Sequence, residues 1–256
     1  MKISYAVAAL SLAVSGCATM NQPPGTIVSE DFETTAAGAI PAGFTKTGAI
    51  GVEEGVAHSG KHALRIDPAI RGGRYISLAP DKVAALGGEH WGRMYYKIKT
   101  PTPMPTGRLI HATFVDGKGT SPLANDLIDV RLATLLFYPN GDYDWFYNVQ
   151  PPNGRKEFGP KSATMQKFND EWTLLEWHAD AATQTYQFFV NGKEVADIGQ
   201  HKGAGNYEGI EIPAAFQTLS IGFTNYQPAT GDGFTVWIDD IAVGKKRLGP
   251  VPGARR

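Results

Sequence analysis

The chain has 256 residues, with 24 Lys and Arg against 25 Asp and Glu, so its formal net charge is -1. This balance gives no electrostatic reason to expect a nucleic-acid partner or a polybasic contact with a membrane surface. Thirty Gly, 17 Pro and 11% aromatic residues, with few long helical patterns, are typical of a turn-rich, all-β chain.

The N-terminus has the features of a secretory signal. A single Lys precedes an apolar stretch over residues 5–14, which is too short to cross a bilayer as a permanent helix, and small residues then lead to Cys17. The tetrapeptide Val14-Ser15-Gly16-Cys17 resembles the bacterial lipobox, in which the cysteine is acylated and becomes the first residue of the mature chain. An ordinary cleaved signal peptide that happens to contain a cysteine is the alternative.

Acyl chains on Cys17 would hold the protein at a membrane surface without a spanning helix. Ala18 follows the cysteine, which would suggest the outer membrane of a Gram-negative cell. Cys17 is the only cysteine, so the mature body is expected to have no disulfide. We expect a signal peptide over residues 1–16, a polar tether over 17–26, one β domain over 27–245 and a flexible basic tail over 246–256.

Strand patterns fill the body of the chain. Alternation of polar and apolar residues with period two marks a strand that faces a core on one side, and a short helix is expected near residues 81–86. The Asn191-Gly192 pair predicts a tight hairpin. Because no internal repeat is present, the series predicts two packed antiparallel sheets, a sandwich or jelly roll, rather than a propeller. The alternating segments are residues 91–99, 107–117, 126–139, 171–180, 185–195, 216–226 and 234–244.

The stretch DLIDVRLATLLFYP, residues 126–139, contains an acid and a guanidinium two positions apart in an apolar run. Period two puts Asp129 and Arg131 on one face, together with Ala133 and Leu135. Spacing alone leaves two interpretations open: an exposed ion pair worth under about 1 kcal/mol, or a pair inside a cleft. The opposite, core face would be formed by Ile128, Val130, Leu132, Thr134 and Leu136.

Seven motifs follow one another in a specific order along the chain: SEDFETTAAG, VAHSGKHALRI, HATF, DVRL, LEWH, VNGKEV and TVWIDDIAV. This order resembles the Cip family, the cellulose-induced fungal proteins and their bacterial relatives, over nearly the whole mature chain. The resemblance implies a concanavalin-like β-jelly-roll sandwich of two antiparallel sheets, similar to glucuronan lyases and alginate lyases. It also implies that Arg131 is the arginine of the binding cleft. Asp129 and Leu135 stand where the family pattern has His and Gln.

The resemblance further implies a structural calcium ion that ties the first strand to the last. The residues at its ligand positions are Glu33, Ser59, His62 and Asp239, with Asp240 as the alternative if the register shifts by one. Calcium prefers oxygen ligands, so Ser59 and His62 would contribute backbone carbonyls or the serine hydroxyl. Zinc is the competing interpretation, because HSGKH has two histidines near acidic residues, although the glycine between them indicates a turn.

A lyase for uronic-acid polymers must neutralise the substrate carboxylate, remove the C5 proton and protonate the leaving oxygen. Arginine suits the first task, since its planar guanidinium can hold a carboxylate through two hydrogen bonds. Arg131 is therefore the expected clamp, with Asp129 orienting it. His111 and Tyr226 occupy positions similar to family residues near the cleft, and they are the candidate base and acid.

Further sugar contacts are expected from polar and aromatic positions. The segment over residues 91–99 has one polar and aromatic face, and GDYDWFYN over 141–148 offers rings on which sugars could stack. Ordinary core packing is the alternative for each aromatic residue, and a hydrogen-bonded structural imidazole is the alternative for His111. The predicted substrate-binding residues are Arg93, Tyr95, Tyr143, Trp145 and Tyr147.

Three functions are compatible with these features. The chain is expected to be a surface-anchored lyase that cleaves a uronic-acid-containing polysaccharide by β-elimination, acting as a monomer on an anionic polymer. A lectin-like lipoprotein that binds glycan without cleaving it is the second interpretation. A glycoside hydrolase is the third, but hydrolysis needs two carboxylates facing one bond, about 5–10 Å apart, and no strand carries that arrangement of acids.

Overall fold

The computed structural model describes residues 23–152, 157, 159–201 and 211–251. Within these residues the chain folds as a sandwich of two antiparallel sheets, which confirms the predicted all-β class. No helix in the described part of the chain has the length and apolar character needed to span a membrane. The predicted signal peptide and Cys17 lie outside the described residues.

One layer of the sandwich, sheet I, carries Arg131. Each strand in this layer is antiparallel to the strands beside it, so strand direction alternates across the sheet. In spatial order the strands of sheet I are β10 (Gln166–Lys167), β9 (Asp142–Gln150), β8 (Leu127–Phe137), β7 (Ile110–Thr120), β14 (Phe216–Asn225), β5 (Gly72–Leu78) and β2 (Phe44–Thr47).

The other layer, sheet II, joins the two ends of the described chain. Its first strand, β1 (Thr26–Glu30), pairs with its last, β15 (Val236–Gly244). Both ends of the described chain therefore lie in the layer that does not contain Arg131. The remaining order runs β13 (Lys193–Glu194), β12 (Thr185–Val190), β11 (Thr173–Asp180), β6 (Glu89–Ile98), then β15, β4 (His62–Ile66) and β3 (Ile50–Glu54).

The inner faces of the two sheets form one hydrophobic core. Trp145 of sheet I and Trp177 of sheet II are fully buried within it, as period-two alternation of apolar residues requires. The Tyr186 hydroxyl of sheet II donates a hydrogen bond to the carbonyl of Leu132 in sheet I, at 2.8 Å. The layers are thus joined by apolar packing and by a buried hydrogen bond.

Two local sequence signals behave as predicted. Helix α1 (Pro80–Leu86) has a proline in its first turn, where the missing N–H has no helical partner to lose, and it ends at Gly87. Asn191 and Gly192 link β12 to β13 with φ angles of 50° and 79°. A two-residue hairpin turn of this kind needs positive φ at both positions, which Asn and Gly tolerate best.

The folded part of the chain extends beyond residue 245, the expected end of the domain. Residues 245–251, the C-terminal segment, pack on the outer face of sheet II. Arg247 donates to both carboxylate oxygens of the buried Glu176, at 3.1 and 2.8 Å, and Leu248 and Val251 are buried. A paired buried charge and apolar contacts hold this segment to the sheet, while residues 252–256 lie outside the described part.

Candidate functional site

The outer face of sheet I carries the predicted lyase residues. In β8, Ile128, Val130 and Leu132 are fully buried in the core between the sheets. Asp129 and Arg131 therefore project from the opposite face, as the alternation predicts. This face, with Arg131 at its centre, is the candidate functional site.

The alternation of β8 breaks after Arg131. Pairing with β9 is irregular between Arg131 and Thr134, so Thr134 faces outward and contacts His111, while Leu135 enters the core with 1% of its surface exposed. An extra residue in a strand inverts the parity of all residues that follow it. The predicted faces of Thr134 and Leu135 are therefore wrong, and Leu135 cannot reach a ligand on the outer face.

Arg131 is only 4% exposed, and its hydrogen-bond partners are neutral. Its Nη1 donates to Oδ1 of Asn148 at 2.7 Å, and its Nη2 donates to Oε1 of Gln150 at 2.5 Å. Nη1 also lies 3.5 Å from Nδ1 of His111, and the guanidinium carbon lies 4.2 Å from the centre of the Tyr226 ring. Among the described residues, no carboxylate forms a hydrogen bond or ion pair with this guanidinium.

His111 is a neutral ring with both nitrogens engaged. The Thr134 hydroxyl donates to the carbonyl of Ala112 at 2.5 Å, so it accepts a hydrogen bond from Nε2–H of His111 at 3.1 Å. Nδ1 is then the unprotonated nitrogen, and it faces Arg131. Burial, together with the Arg131 charge, lowers the pKa of His111 to about 3, so the imidazole is uncharged at neutral pH.

Tyr226 follows β14 and lies beside His111, with ring centres 5.0 Å apart. Its backbone N–H donates to the carbonyl of His111 at 2.9 Å, which fixes the two residues relative to each other. Burial raises the pKa of the Tyr226 phenol, whereas the Arg131 charge and a hydrogen bond with Thr113 act in the lowering direction. The structure thus brings Arg131, His111 and Tyr226 together, with a half-buried phenol next to the cation.

Asp129 forms neither a hydrogen bond nor an ion pair with Arg131. Its carboxylate forms an ion pair with Nζ of Lys118, its cross-strand neighbour on β7, at 3.2 Å. The prediction that Asp129 orients Arg131 is wrong, because residues two apart on a strand are separated by about 6.5 Å, and facing strands offer closer partners. The amides of Asn148 and Gln150, on the neighbouring β9, hold the guanidinium instead.

The aromatic residues predicted to stack on sugar in β9 lie in the core. Tyr143, Trp145 and Tyr147 belong to the hydrophobic cluster between the sheets and are not accessible from the outer face. The alternation of this strand is regular, so the outer face receives the residues of the other parity, which include Asn148 and Gln150. In the sequence, these two amides alternate with the aromatic residues of β9, and this pattern could have indicated that they share the outer face with Arg131.

Arg93 and Tyr95 lie on the wrong layer for the predicted sugar contacts. Both belong to β6 of sheet II, and the C-terminal segment covers them. Arg93 donates to the carbonyl of Gly249 at 3.0 Å, and the Tyr95 hydroxyl accepts from the N–H of Val251 at 3.3 Å. They hold the C-terminal segment on the layer opposite to Arg131.

The four residues of the predicted calcium site meet at one loop, residues 58–62. Asp239 accepts hydrogen bonds from the backbone N–H groups of His58 and Ser59, at 2.7 and 3.1 Å. Glu33 accepts from the N–H of Lys61 at 2.8 Å and of His62 at 2.7 Å. Carboxylates from near the first strand and from the last strand therefore clamp the same loop.

The donor set fits calcium in type, because carboxylate oxygens are ligands that this hard cation prefers. It fits less well in arrangement, since these carboxylates face N–H groups, and no cluster of three or more His, Cys, Asp or Glu side chains suited to a metal is present among the described residues. The two histidines of HSGKH contact different carboxylates, His58 that of Asp240 and His62 that of Glu33. Calcium at this loop stays a prediction.

Chelation tests the calcium prediction. If calcium ties the loop to both ends of the domain, EDTA should lower the melting temperature by on the order of 5 °C, because a ligand bound only to the folded state stabilises it. Glu33→Gln should lower the melting temperature and abolish the response to EDTA. An unchanged melting curve of the wild-type protein in EDTA would remove the site, and the loop would then be held by hydrogen bonds alone.

Comparison with known proteins gives one family match and several fold matches. The model of the Cip1-like core domain, a polysaccharide lyase-like family, matches residues 29–246. A comparison with curated protein sequences gives no match. The match spans nearly all of the described domain.

Three solved structures illustrate the shared fold. The cellulose-induced protein Cip1 is 16% identical, with a TM-score of 0.57 over 87% of this chain and 99% of its own. A carbohydrate esterase of the Shiga toxin-encoding bacteriophage phi24B is 15% identical, with a TM-score of 0.52 over 86% of this chain and 98% of its own. The receptor-binding domain of botulinum neurotoxin mosaic serotype C/D is 13% identical, with a TM-score of 0.51 over 88% of this chain and 48% of its own. At these identities the structural similarity shows that the chain shares their fold, the jelly roll.

Proposed function

The chain belongs to the polysaccharide lyase-like family of the Cip1-like core domain, and from this premise we propose that it cleaves a uronic-acid-containing polysaccharide by β-elimination. The observation that carries the proposal is the buried guanidinium of Arg131, which has neutral partners only. The names of two relatives of the same fold, a cellulose-induced protein and a carbohydrate esterase, support a carbohydrate as the ligand.

A buried charge is costly unless an opposite charge or a full set of hydrogen bonds compensates for it. Arg131 has two amide acceptors and one imidazole acceptor, and its Nε has no hydrogen-bond partner. The carboxylate of a uronic acid would supply the opposite charge and could accept two hydrogen bonds from the guanidinium. A neutral sugar would bring no opposite charge to the guanidinium, so the site favours an anionic polysaccharide.

The chemistry of β-elimination can be assigned to these residues. The C5–H bond and the C4–O bond break, a C4=C5 double bond forms, and the leaving oxygen gains a proton. Arg131 would stabilise the negative charge that develops on the uronate carboxylate as C5 loses its proton. Tyr226 as the phenolate would accept the proton from C5 and, as the phenol, return it to the leaving oxygen, because its ring lies against Arg131 while both ring nitrogens of His111 have protein partners. His111 would then act as a positioning residue for Arg131.

Binding without cleavage is the second candidate function. It is favoured by Leu135, which stands where the family pattern has a Gln but is buried in the core. A protein with the Arg131 clamp and an incomplete set of catalytic groups would still bind an anionic glycan. The lipid anchor at Cys17 and a location in the outer membrane stay predictions, because they concern residues outside the described part of the chain.

A panel of polysaccharides tests the proposal directly. Incubation with glucuronan, alginate, pectate and xylan should produce absorbance from the unsaturated uronate product on at least one acidic polymer. Retention on an immobilised acidic polymer without any absorbance would support the binding function instead. New reducing ends without absorbance would contradict β-elimination and favour hydrolysis.

A further inference from the structure

Asp116 lies across from Arg131 in the register between β7 and β8. Directly opposite residues in an antiparallel pair have Cβ atoms about 5 Å apart and share a face. The two side chains nevertheless form no hydrogen bond, because the guanidinium turns to Asn148 and Gln150 on the other neighbouring strand. Oδ1 of Asp116 and Nε of Arg131 are both buried without a hydrogen-bond partner among the described residues.

The charges around Asp116 come from several strands. Lys118 lies on the same strand, Asp129 and Arg131 lie on β8, and Tyr226 follows β14. Burial is the largest cause that raises the pKa of Asp116, to about 6; Asp129 acts in the same direction, and the charges of Arg131 and Lys118 oppose it. The carboxyl group is therefore expected to change charge near pH 6.

We propose that Asp116 is a specificity-determining residue whose carboxylate competes with a uronate carboxylate for the positive charge of Arg131, so that an anionic sugar binds together with a proton. The inference rests on the proposed function, since it concerns the same guanidinium. When Asp116 is ionised, its negative charge opposes a second carboxylate at Arg131. When it is neutral, that repulsion is removed and its O–H can donate a hydrogen bond.

Linkage makes the effect reciprocal. A uronate carboxylate bound at Arg131 raises the pKa of Asp116, and protonation of Asp116 raises the affinity for the uronate by the same factor. The affinity for an acidic oligosaccharide should therefore be high below about pH 6 and fall above it. Neutral sugars should show no such dependence, because they bring no charge to compete with Asp116.

Calorimetric titration with glucuronan oligosaccharides tests the inference. Tyr226→Phe serves as the background, because it keeps the ring next to Arg131 and prevents cleavage during the measurement. The Kd should rise about tenfold between pH 5 and pH 8, the change that corresponds to a coupling of one pKa unit. Titrations in buffers of different ionisation enthalpy should show an uptake of about half a proton per sugar bound near pH 6.5, the maximum for a coupling of one pKa unit. Asp116→Asn in this background should bind with the low-pH affinity throughout and take up no proton.

Asp129→Asn is the matched control, because it removes a carboxylate from the same face. The affinity step should remain, with its midpoint at lower pH, since the Asp129 charge contributes to the raised pKa of Asp116. A step that persists in Asp116→Asn, or one that disappears in Asp129→Asn, would overturn the inference and leave the proposed function intact. Absence of binding by all variants and by the wild-type protein would instead contradict the proposed function, and the inference with it.

Discussion

Replacing Arg131 by Ala is expected to reduce the rate of uronan cleavage roughly 10²–10³-fold, the loss typical when one group that stabilises developing charge is removed. The guanidinium is the cation that two amides of β9 hold beside Tyr226 on this face. Arg131→Lys should not restore activity, because a single ammonium cannot reproduce the planar pair of hydrogen bonds. Initial rates of formation of the unsaturated product, measured on the acidic polymer that the wild-type protein cleaves, provide the readout.

Arg247→Ala separates this loss from a loss of folding. Arg247 pairs with the buried Glu176 on the outer face of sheet II, far from the site in the architecture. Removing one partner of a buried pair destabilises the fold, so the melting temperature should fall while the activity of the folded protein is kept. If Arg131→Ala cleaves uronan as fast as the wild-type protein, Arg131 has only a structural role and the proposed lyase site is wrong.

Most of the architecture could be predicted from the sequence because it depends on local rules. Period-two alternation requires one buried face for each strand, and the Asn191-Gly192 turn requires positive φ angles that those two residues tolerate. The composition, rich in Gly, Pro and aromatic residues, predicted the all-β class. These rules do not state which strands pair. The sequence therefore left open that β6, with Arg93 and Tyr95, lies in the layer opposite to Arg131.

The site was predicted less completely, because bulges and pairing decide which side chains meet. A bulge-like irregularity in β8 reverses the faces of the residues after Arg131, and the strand has no glycine or proline that would indicate it in the sequence. Another irregularity in β7 places Asp116, which no sequence motif marks, across from Arg131. Period two alone would keep Thr113 and Asp116 on opposite faces. Long-range packing, rather than local propensity, determines these positions.

In β9 the sequence indicates which residues share a face, but it does not indicate which of the two faces is turned toward the core. The rings of Tyr143, Trp145 and Tyr147 suit either a core or a sugar-binding surface. Trp145 and its alternate neighbours fill the core because the facing sheet supplies large apolar partners such as Phe188. The amides of Asn148 and Gln150 are left for the outer face, where they meet Arg131.

Tyr226→Phe is expected to lower kcat roughly 10²–10⁴-fold, the usual contribution of general acid–base catalysis, with a much smaller effect on substrate binding. The phenylalanine ring keeps its place over Arg131 and beside His111, and only the hydroxyl that transfers the proton is lost. His111→Asn is the informative comparison, because an amide oxygen can replace Nδ1 as an acceptor for Arg131. Its loss of kcat should be small relative to that of Tyr226→Phe.

The pH dependence of kcat distinguishes the two candidate bases. His111 has a pKa of about 3, so its protonation cannot produce a change in rate between pH 5 and pH 8. The pKa of Tyr226 is raised, and its phenolate fraction grows with pH, so kcat should increase toward alkaline pH in both the wild-type protein and His111→Asn. A rate that falls to the level of Tyr226→Phe in His111→Asn would assign proton abstraction to the imidazole. Because Asp116 acts on binding and Tyr226 on turnover, the two titrations appear in different kinetic constants and can be measured independently.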